Sequence, residues 1–246
     1  MQETFIITAR LKSTRLPKKI LLKVKDQPLI VHMINRIKYS NKIKNIIIAT
    51  STNSQDDLLE EIAKKQNIDC YRGSEEDVLM RLLGAAEKFN LSSFLNMTAD
   101  IPMIDPKLIN TAIEVFNKIN PDLLLFEKNS FGVCLMVKVS ALLQVCNSKK
   151  DKNTEAWVKF FKATKNINIH IEKVSKENKN KFLKTSLDYF EDYLFIKKIF
   201  EELYKKNNIF FNKDISNLLT KKPHLKEINS SEIFLKRWKD HAKTLK

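Results

Sequence analysis

Glycine is scarce, with three residues in 246. The chain holds no G-x-x-x-x-G-K-[ST] stretch, so the glycine-rich phosphate cradle of that motif is excluded. Cysteine is equally sparse. Cys70, Cys134 and Cys146 show no metal-ligand spacing and leave one thiol over if two pair. That excludes a disulfide framework and fits reduced, structural thiols in a reducing cytoplasm. No segment approaches the ~18 consecutive apolar residues that span a bilayer. Residues 1–10 lack the basic start and long apolar run of a secretory signal. The expectation is a soluble, cytoplasmic protein. Arginine is the remaining scarcity, only 6 of 44 cations.

What is present is ordinary in one respect and unusual in another. Hydrophobic residues at 43% and charged residues at 30% describe a folded chain rather than a disordered one. The net charge of +15 is large enough to raise nucleic acid or an anionic membrane as a partner. Bidentate reading of phosphates and guanines relies on Arg, however, so a lysine excess supplies charge without fine readout. The charge is also uneven: +3 over residues 1–123 and +12 over 124–246. A solvated lysine surface accounts for most of it.

Short β-rich runs at 5–7, 45–49, 93–97 and 123–126 alternate with stretches of helical spacing at 30–39, 55–66, 75–89 and 106–117. Pro106 after Asp105 is a favoured helix start. This rhythm predicts an α/β fold, a mostly parallel central sheet with helices on both faces. Ligands in such sheets bind beyond the carboxyl ends of the strands, here residues 9–10, 49–51 and 98–100. The second half is less regular. Strands are expected at 132–138 and 168–174, a further one at 182–187, and a long helix over 188–204. No linker or repeat divides the chain, so one domain spans 1–246. It divides into a first half (1–128), a second half (129–212) and a C-terminal helical extension (213–246).

The loop after the first strand carries the sharpest signal. Residues 10–19 place Arg10, Lys12, Arg15, Lys18 and Lys19 beside the hydroxyls of Ser13 and Thr14. Guanidinium forks, ammonium charges and hydroxyls at a strand end suit a polyphosphate. Asp100 follows another apolar strand, where a carboxylate across from these cations is placed to hold a divalent cation bridging phosphate oxygens. Asp188 has the same character and is a second candidate ligand. Taken singly, each aspartate reads as a helix cap, because both precede helical stretches. His32, His170, His224 and His241 are scattered and read as structural or exposed.

These residues carry a resemblance. ARLKSTRLPKK (9–19) resembles the A-R-x-x-S-T-R-L-P-G-K signature of the sugar-acid cytidylyltransferases, which include 3-deoxy-manno-octulosonate cytidylyltransferase. YRGSEEDVLMR (71–81), DIPMIDP (100–106) and LDYFED (187–192) resemble, in order, segments of the spore-coat polysaccharide biosynthesis branch. The tail through residues 223–229 is similar to that branch as well. The resemblance implies a nucleotide-diphospho-sugar transferase (glycosyltransferase-A type) fold, usually dimeric, that couples CTP to a sugar acid and releases pyrophosphate. It implies that Arg10, Ser13, Arg15 and Lys19 hold the phosphates, with Arg10, Lys19 and Asp100 carrying the catalysis. Asp100 and Asp188 would ligate Mg2+. Ala49, Thr50 and the segment from Arg72 to Arg81, with Gly73, Ser74 and Asp77 in it, would surround the cytosine and ribose, and Ala9 would belong to the nucleotide site as well.

The sequence departs from the family pattern at Lys18, where the signature has Gly, and at Ala99, where Gly usually precedes the acidic ligand. Ala156 stands where His is expected in the stretch 153–158, and Lys184 where Arg is expected. The departures near Ala156 fall on the acceptor side, so transfer to another hydroxy acid or a phosphonate is an alternative within the same fold. A nucleotide-binding paralogue without turnover is another. A nucleic-acid-binding protein rests on +15 alone and finds no motif.

Overall fold

The computed structural model describes residues 3–180, 183–205 and 208–229. The first half follows the alternation read from the sequence. Strand β1 (Glu3–Thr8) leads through a basic loop to the short hairpin β2 (Lys23–Val24) and β3 (Gln27–Pro28). Helix α1 (Leu29–Lys38), β4 (Ile43–Ser51), α2 (Asp57–Lys65), β5 (Asp69–Gly73), α3 (Val78–Lys88), β6 (Ser93–Thr98), α4 (Pro106–Ile119) and β7 (Leu123–Phe126) follow. Then come β8 (Leu135–Lys138), α5 (Val139–Ser148), α6 (Val158–Ala163), β9 (Ile169–Glu172), α7 (Phe190–Leu203) and α8 (Asn212–Lys221).

Seven strands form one sheet in the order β5-β4-β1-β6-β8-β7-β9. All pairings are parallel except those of β8, which runs antiparallel to both β6 and β7. The sheet therefore draws strands from both sides of residue 128. The run expected as a strand at 132–138 begins only at Leu135. Residues 183–187 form no strand; 181 and 182, and the part of the C-terminal extension beyond 229, lie outside the described residues. The helix expected from 188 starts at Phe190.

Alternation along the strands divides the core. Phe5, Ile7, Ile46, Ile48 and Leu95 face α1, α2 and α4, whereas Ile6, Ile47 and Phe94 face α3, α5 and α6. The period of two in the strands is what puts helices on both faces. A third cluster, built from α7, α8 and Leu29, attaches the C-terminal segment to the end of the sheet. Arg36, 2% exposed, stitches it there: Nε donates to the Ile104 carbonyl at 2.6 Å and Nη2 to the Phe210 carbonyl at 2.9 Å. Burial pushes its pKa down to about 10.

β5 escaped the sequence reading because its residues, DCYRG, lack apolar alternation. Its contact with α3 depends on two glycines. A Cβ on Gly84 would lie 2.0 Å from the Tyr71 hydroxyl, and one on Gly73 would lie 2.8 Å from the Tyr71 ring.

Candidate active site

Strands β4, β1 and β6 end together. The Ala9 N–H donates to the Ala49 carbonyl at 3.1 Å and the Ala99 N–H to the Thr8 carbonyl at 2.9 Å. The basic loop therefore leaves the sheet beside Asp100. Its base is pinned by Asp56, fully buried, whose carboxylate accepts the Leu11 N–H at 2.7 Å and the Ser51 hydroxyl. Its far end closes through Lys18, which adopts φ 51, ψ 28. Lys18 thus takes the left-handed conformation that the signature's glycine allows, rather than avoiding it. A 3-10 turn at Lys19–Leu21 follows and directs Lys19 back toward the strand ends.

The result is a cleft of about 380 Å³, lined on one side by Ala9, Arg10, Ser13, Arg15 and Lys19. Asp100, Arg81, Glu155 and Trp157 contribute to the remaining lining. Carboxylates cross it to meet each cation. Arg10 pairs with Glu155 at 2.8 Å, and Lys12 with Glu75 at 2.9 Å and Glu76 at 3.5 Å. Arg15 meets Asp188 at 2.7 Å. The Lys19 ammonium lies 3.0 Å from Asp100 and 3.3 Å from Asp188, bringing residues 81 and 169 positions away to one point. Burial raises the Asp188 pKa, but Lys184, Lys19 and the Arg15 guanidinium outweigh it and hold the carboxyl well below its usual range.

Neither aspartate caps a helix, contrary to the reading of each alone. The N-cap of α4 is Asp105, whose side chain accepts the Lys107 N–H. The N-cap of α7 is Tyr189, and Asp192 in the first turn accepts the N–H groups of both Asp188 and Tyr189 at 2.9 Å. Asp100 lines the cleft, and Asp188 is joined to it through Arg15 and Lys19. One ammonium reaches both carboxylates, and an all-oxygen donor pair of this kind suits a hard divalent ion. Among the described residues no group of three or more His, Cys, Asp and Glu side chains forms a fuller cage. Such an ion would take its other ligands from phosphate and water oxygens.

The residues expected around the base divide. Arg81 lines the cleft, is 1% exposed, and donates through Nη1 to the Ser74 and Glu75 carbonyls, while its buried Nε has no partner. Thr50 is fully buried at the end of β4, with an unpartnered hydroxyl. Arg72 turns away from the cleft, binding the Ser51 and Asn53 carbonyls and pairing with Asp57 and Glu60. Gly73 serves the Tyr71 ring, and the Ser74 hydroxyl accepts the Asp77 N–H at 3.0 Å. Asp77 points to Lys149 and Thr154.

A second cavity adjoins the first, sharing Thr98, Glu155 and Trp157 with it and adding Met97, Leu135 and Ala156. Two parts of this arrangement are missing from the sequence reading. Asp56 anchors the loop from 45 positions away, a spacing that no periodicity reveals. Trp157 lies in the stretch 153–158 set on the acceptor side, but nothing in the sequence singles out its side chain. The histidines stay apart: His32 is buried, its Nε2 2.7 Å from the Val24 carbonyl, His170 meets Glu172 on β9, and His241 lies outside the described residues. Burial pushes the thiols of Cys70 and Cys146 up to about 11, the behaviour of unreactive structural cysteines.

An open α/β sheet whose strand ends present a cationic loop to nearby carboxylates suits the phosphates of a nucleotide and a divalent cation. The sequence matches the cytidylyltransferase family over residues 4–237, and the chain belongs to that family. An uncharacterized protein of Methanocaldococcus jannaschii is 28% identical over 92% of this chain and 93% of its own. The spore coat polysaccharide biosynthesis protein SpsF of Bacillus subtilis is 34% identical over 53% of this chain and 56% of that protein, so that match spans about half of each. Among solved structures, a cytidylyltransferase from Leptospira borgpetersenii superposes with a TM-score of 0.79 at 24% identity, covering 92% of this chain and 97% of that one. The CMP:2-keto-3-deoxy-manno-octonic acid synthetase solved with CTP gives 0.65 at 14% identity, covering 83% and 100%. These two likenesses are of fold. Among the described residues no helix is long and apolar enough to cross a membrane.

Proposed function

We propose that this protein transfers CMP from CTP to a hydroxyl of a sugar acid, releasing pyrophosphate. The product is a CMP-sugar for surface polysaccharide or glycoconjugate synthesis, and the enzyme works in the cytoplasm as a homodimer. The observation that carries this reading is the single point at which Lys19 meets Asp100 and Asp188, inside a cleft that also holds Arg10 and Arg15.

A hydroxyl attacking the α-phosphorus in line with departing pyrophosphate builds negative charge. That charge calls for fixed cations rather than a protein nucleophile. Arg10, Ser13, Arg15 and Lys19 take the phosphates, the three cations exchanging their present carboxylate partners for phosphate oxygens. Asp100 and Asp188 hold Mg2+, which supplies Lewis-acid polarisation of the phosphate. The unpartnered Nε of Arg81 offers a donor to the cytosine, whose ring presents acceptors. Ala9 lines the same cleft, and Thr50 is buried at the end of β4. Arg72, Gly73 and Ser74 shape this side without lining it. The acceptor occupies the adjoining cavity, which opens to the cleft at Glu155 and Trp157. The exposed Ala156 on its wall, in place of an imidazole, favours a second reading in which the acceptor is another hydroxylated acid or a phosphonate.

The test is pyrophosphate release from CTP with Mg2+ across a panel of sugar acids, hydroxy acids and phosphonates. Release with a sugar acid supports the first reading, and release only with the other acids the second. Tight CTP binding without release on any acceptor sinks both and leaves a nucleotide-binding paralogue.

A further inference from the structure

Asp77 caps α3, and capping needs only one of its oxygens: Oδ1 accepts the Met80 N–H at 3.1 Å. Its other partners lie far along the chain. The Thr154 hydroxyl donates to Oδ1 at 2.9 Å, and the Lys149 ammonium pairs with Oδ2. This ion pair is nearly closed to solvent, with side chains 12% and 8% exposed. Desolvating both charges is a cost that a cap alone does not require. Thr154, fully buried, also accepts the Leu79 N–H at 2.9 Å, and its own N–H donates to the Glu76 carbonyl at 3.2 Å. An N–H in the first turn of α3, which the helix itself leaves unpaired, is therefore satisfied by a residue 75 positions away.

The tethered segment is the arm between α5 and α6, residues 149–157, which contains neither helix nor strand. Immediately beyond the tether stand Glu155, paired with Arg10, and Trp157, shared by the two cavities. Asp77 itself is not part of the cleft lining. The geometry points to Asp77 as a positioning residue for the acceptor side of the site, fixing where Glu155 and Trp157 stand while touching neither substrate. The inference rests on the transferase reading above.

Asp77→Asn keeps the capping oxygen but removes the charge facing Lys149, and Lys149→Met removes the other partner. In steady-state kinetics each single variant raises the acceptor KM about tenfold and leaves the KM for CTP within about twofold. The double variant is no worse than either single one, since both break the same contact. A raised KM for CTP with the acceptor KM unchanged, or fully additive losses, overturns the proposal. Should Asp77→Asn fail to fold, Thr154→Val severs the tether more gently and carries the same expectation. A second measurement needs no turnover: by hydrogen exchange, Asp77→Asn speeds exchange across residues 150–158 and leaves 10–19 as in the wild type. Equal protection of the arm in variant and wild type overturns the tether whatever the enzyme catalyses. Absence of pyrophosphate release by the wild type instead overturns the transferase reading and leaves the exchange result standing.

Discussion

Lys18 holds a left-handed backbone conformation in which a Cβ is disfavoured by roughly 1–2 kcal/mol. Lys18→Gly removes that strain but loosens the unfolded chain, which gives back about 0.4–1 kcal/mol. The net expectation is a gain of about 0.5–1 kcal/mol, read as a higher urea midpoint at unchanged slope. Because Lys18 does not line the cleft, CTP affinity stays the same. Arg15 is the opposite case, one of the cations that faces the cleft and is held by Asp188. Arg15→Ala weakens CTP binding by about 1.5–3 kcal/mol, the loss of a charge-assisted contact. Calorimetric titration with an unchanged affinity would place the phosphates elsewhere. Asp100→Ala abolishes metal-dependent turnover while thermal unfolding stays near that of the wild type, since the side chain faces the cleft rather than the core. Persisting activity would remove the metal role.

Among the elements, α3 depends most on a small residue. Tyr71 of β5 lies against Gly84, so Gly84→Ala forces its ring to move and costs about 1–3 kcal/mol of stability by overpacking. Denaturant unfolding measures this; a loss within experimental scatter would mean the ring has room to swing aside. The helix was legible in the sequence as a run of apolar spacing ending at Phe89, because Leu79, Leu82, Leu83 and Ala86 repeat at helical intervals. β5, which it covers, was not, since its pairing with β4 rather than its own composition makes it a strand. The same holds for β8: a four-residue apolar run carries no sign of direction, and only its neighbours β6 and β7 set it antiparallel.

At the scale of the whole molecule, Arg36 couples the sheet to the C-terminal segment. Arg36→Met leaves the Ile104 and Phe210 carbonyls without that donor and lowers stability by about 2–4 kcal/mol, measured by urea unfolding. The net charge of +15 has little bearing on the site, whose cations already face carboxylates. Duplex DNA is expected to bind no tighter than the ~10⁻⁴–10⁻⁶ M nonspecific range at physiological salt. The layered α/β architecture and the basic loop at the first strand end were determined by sequence alone, because strand and helix periodicity and a ten-residue cluster of cations are local properties. Folding decided the rest. Asp100 and Asp188 become partners of one ammonium, Asp77 turns from the nucleotide to the arm at Thr154, and Asp56 pins the loop. Each of these contacts joins residues 45 to 169 positions apart, and that separation carries no signal until the core has closed around the sheet.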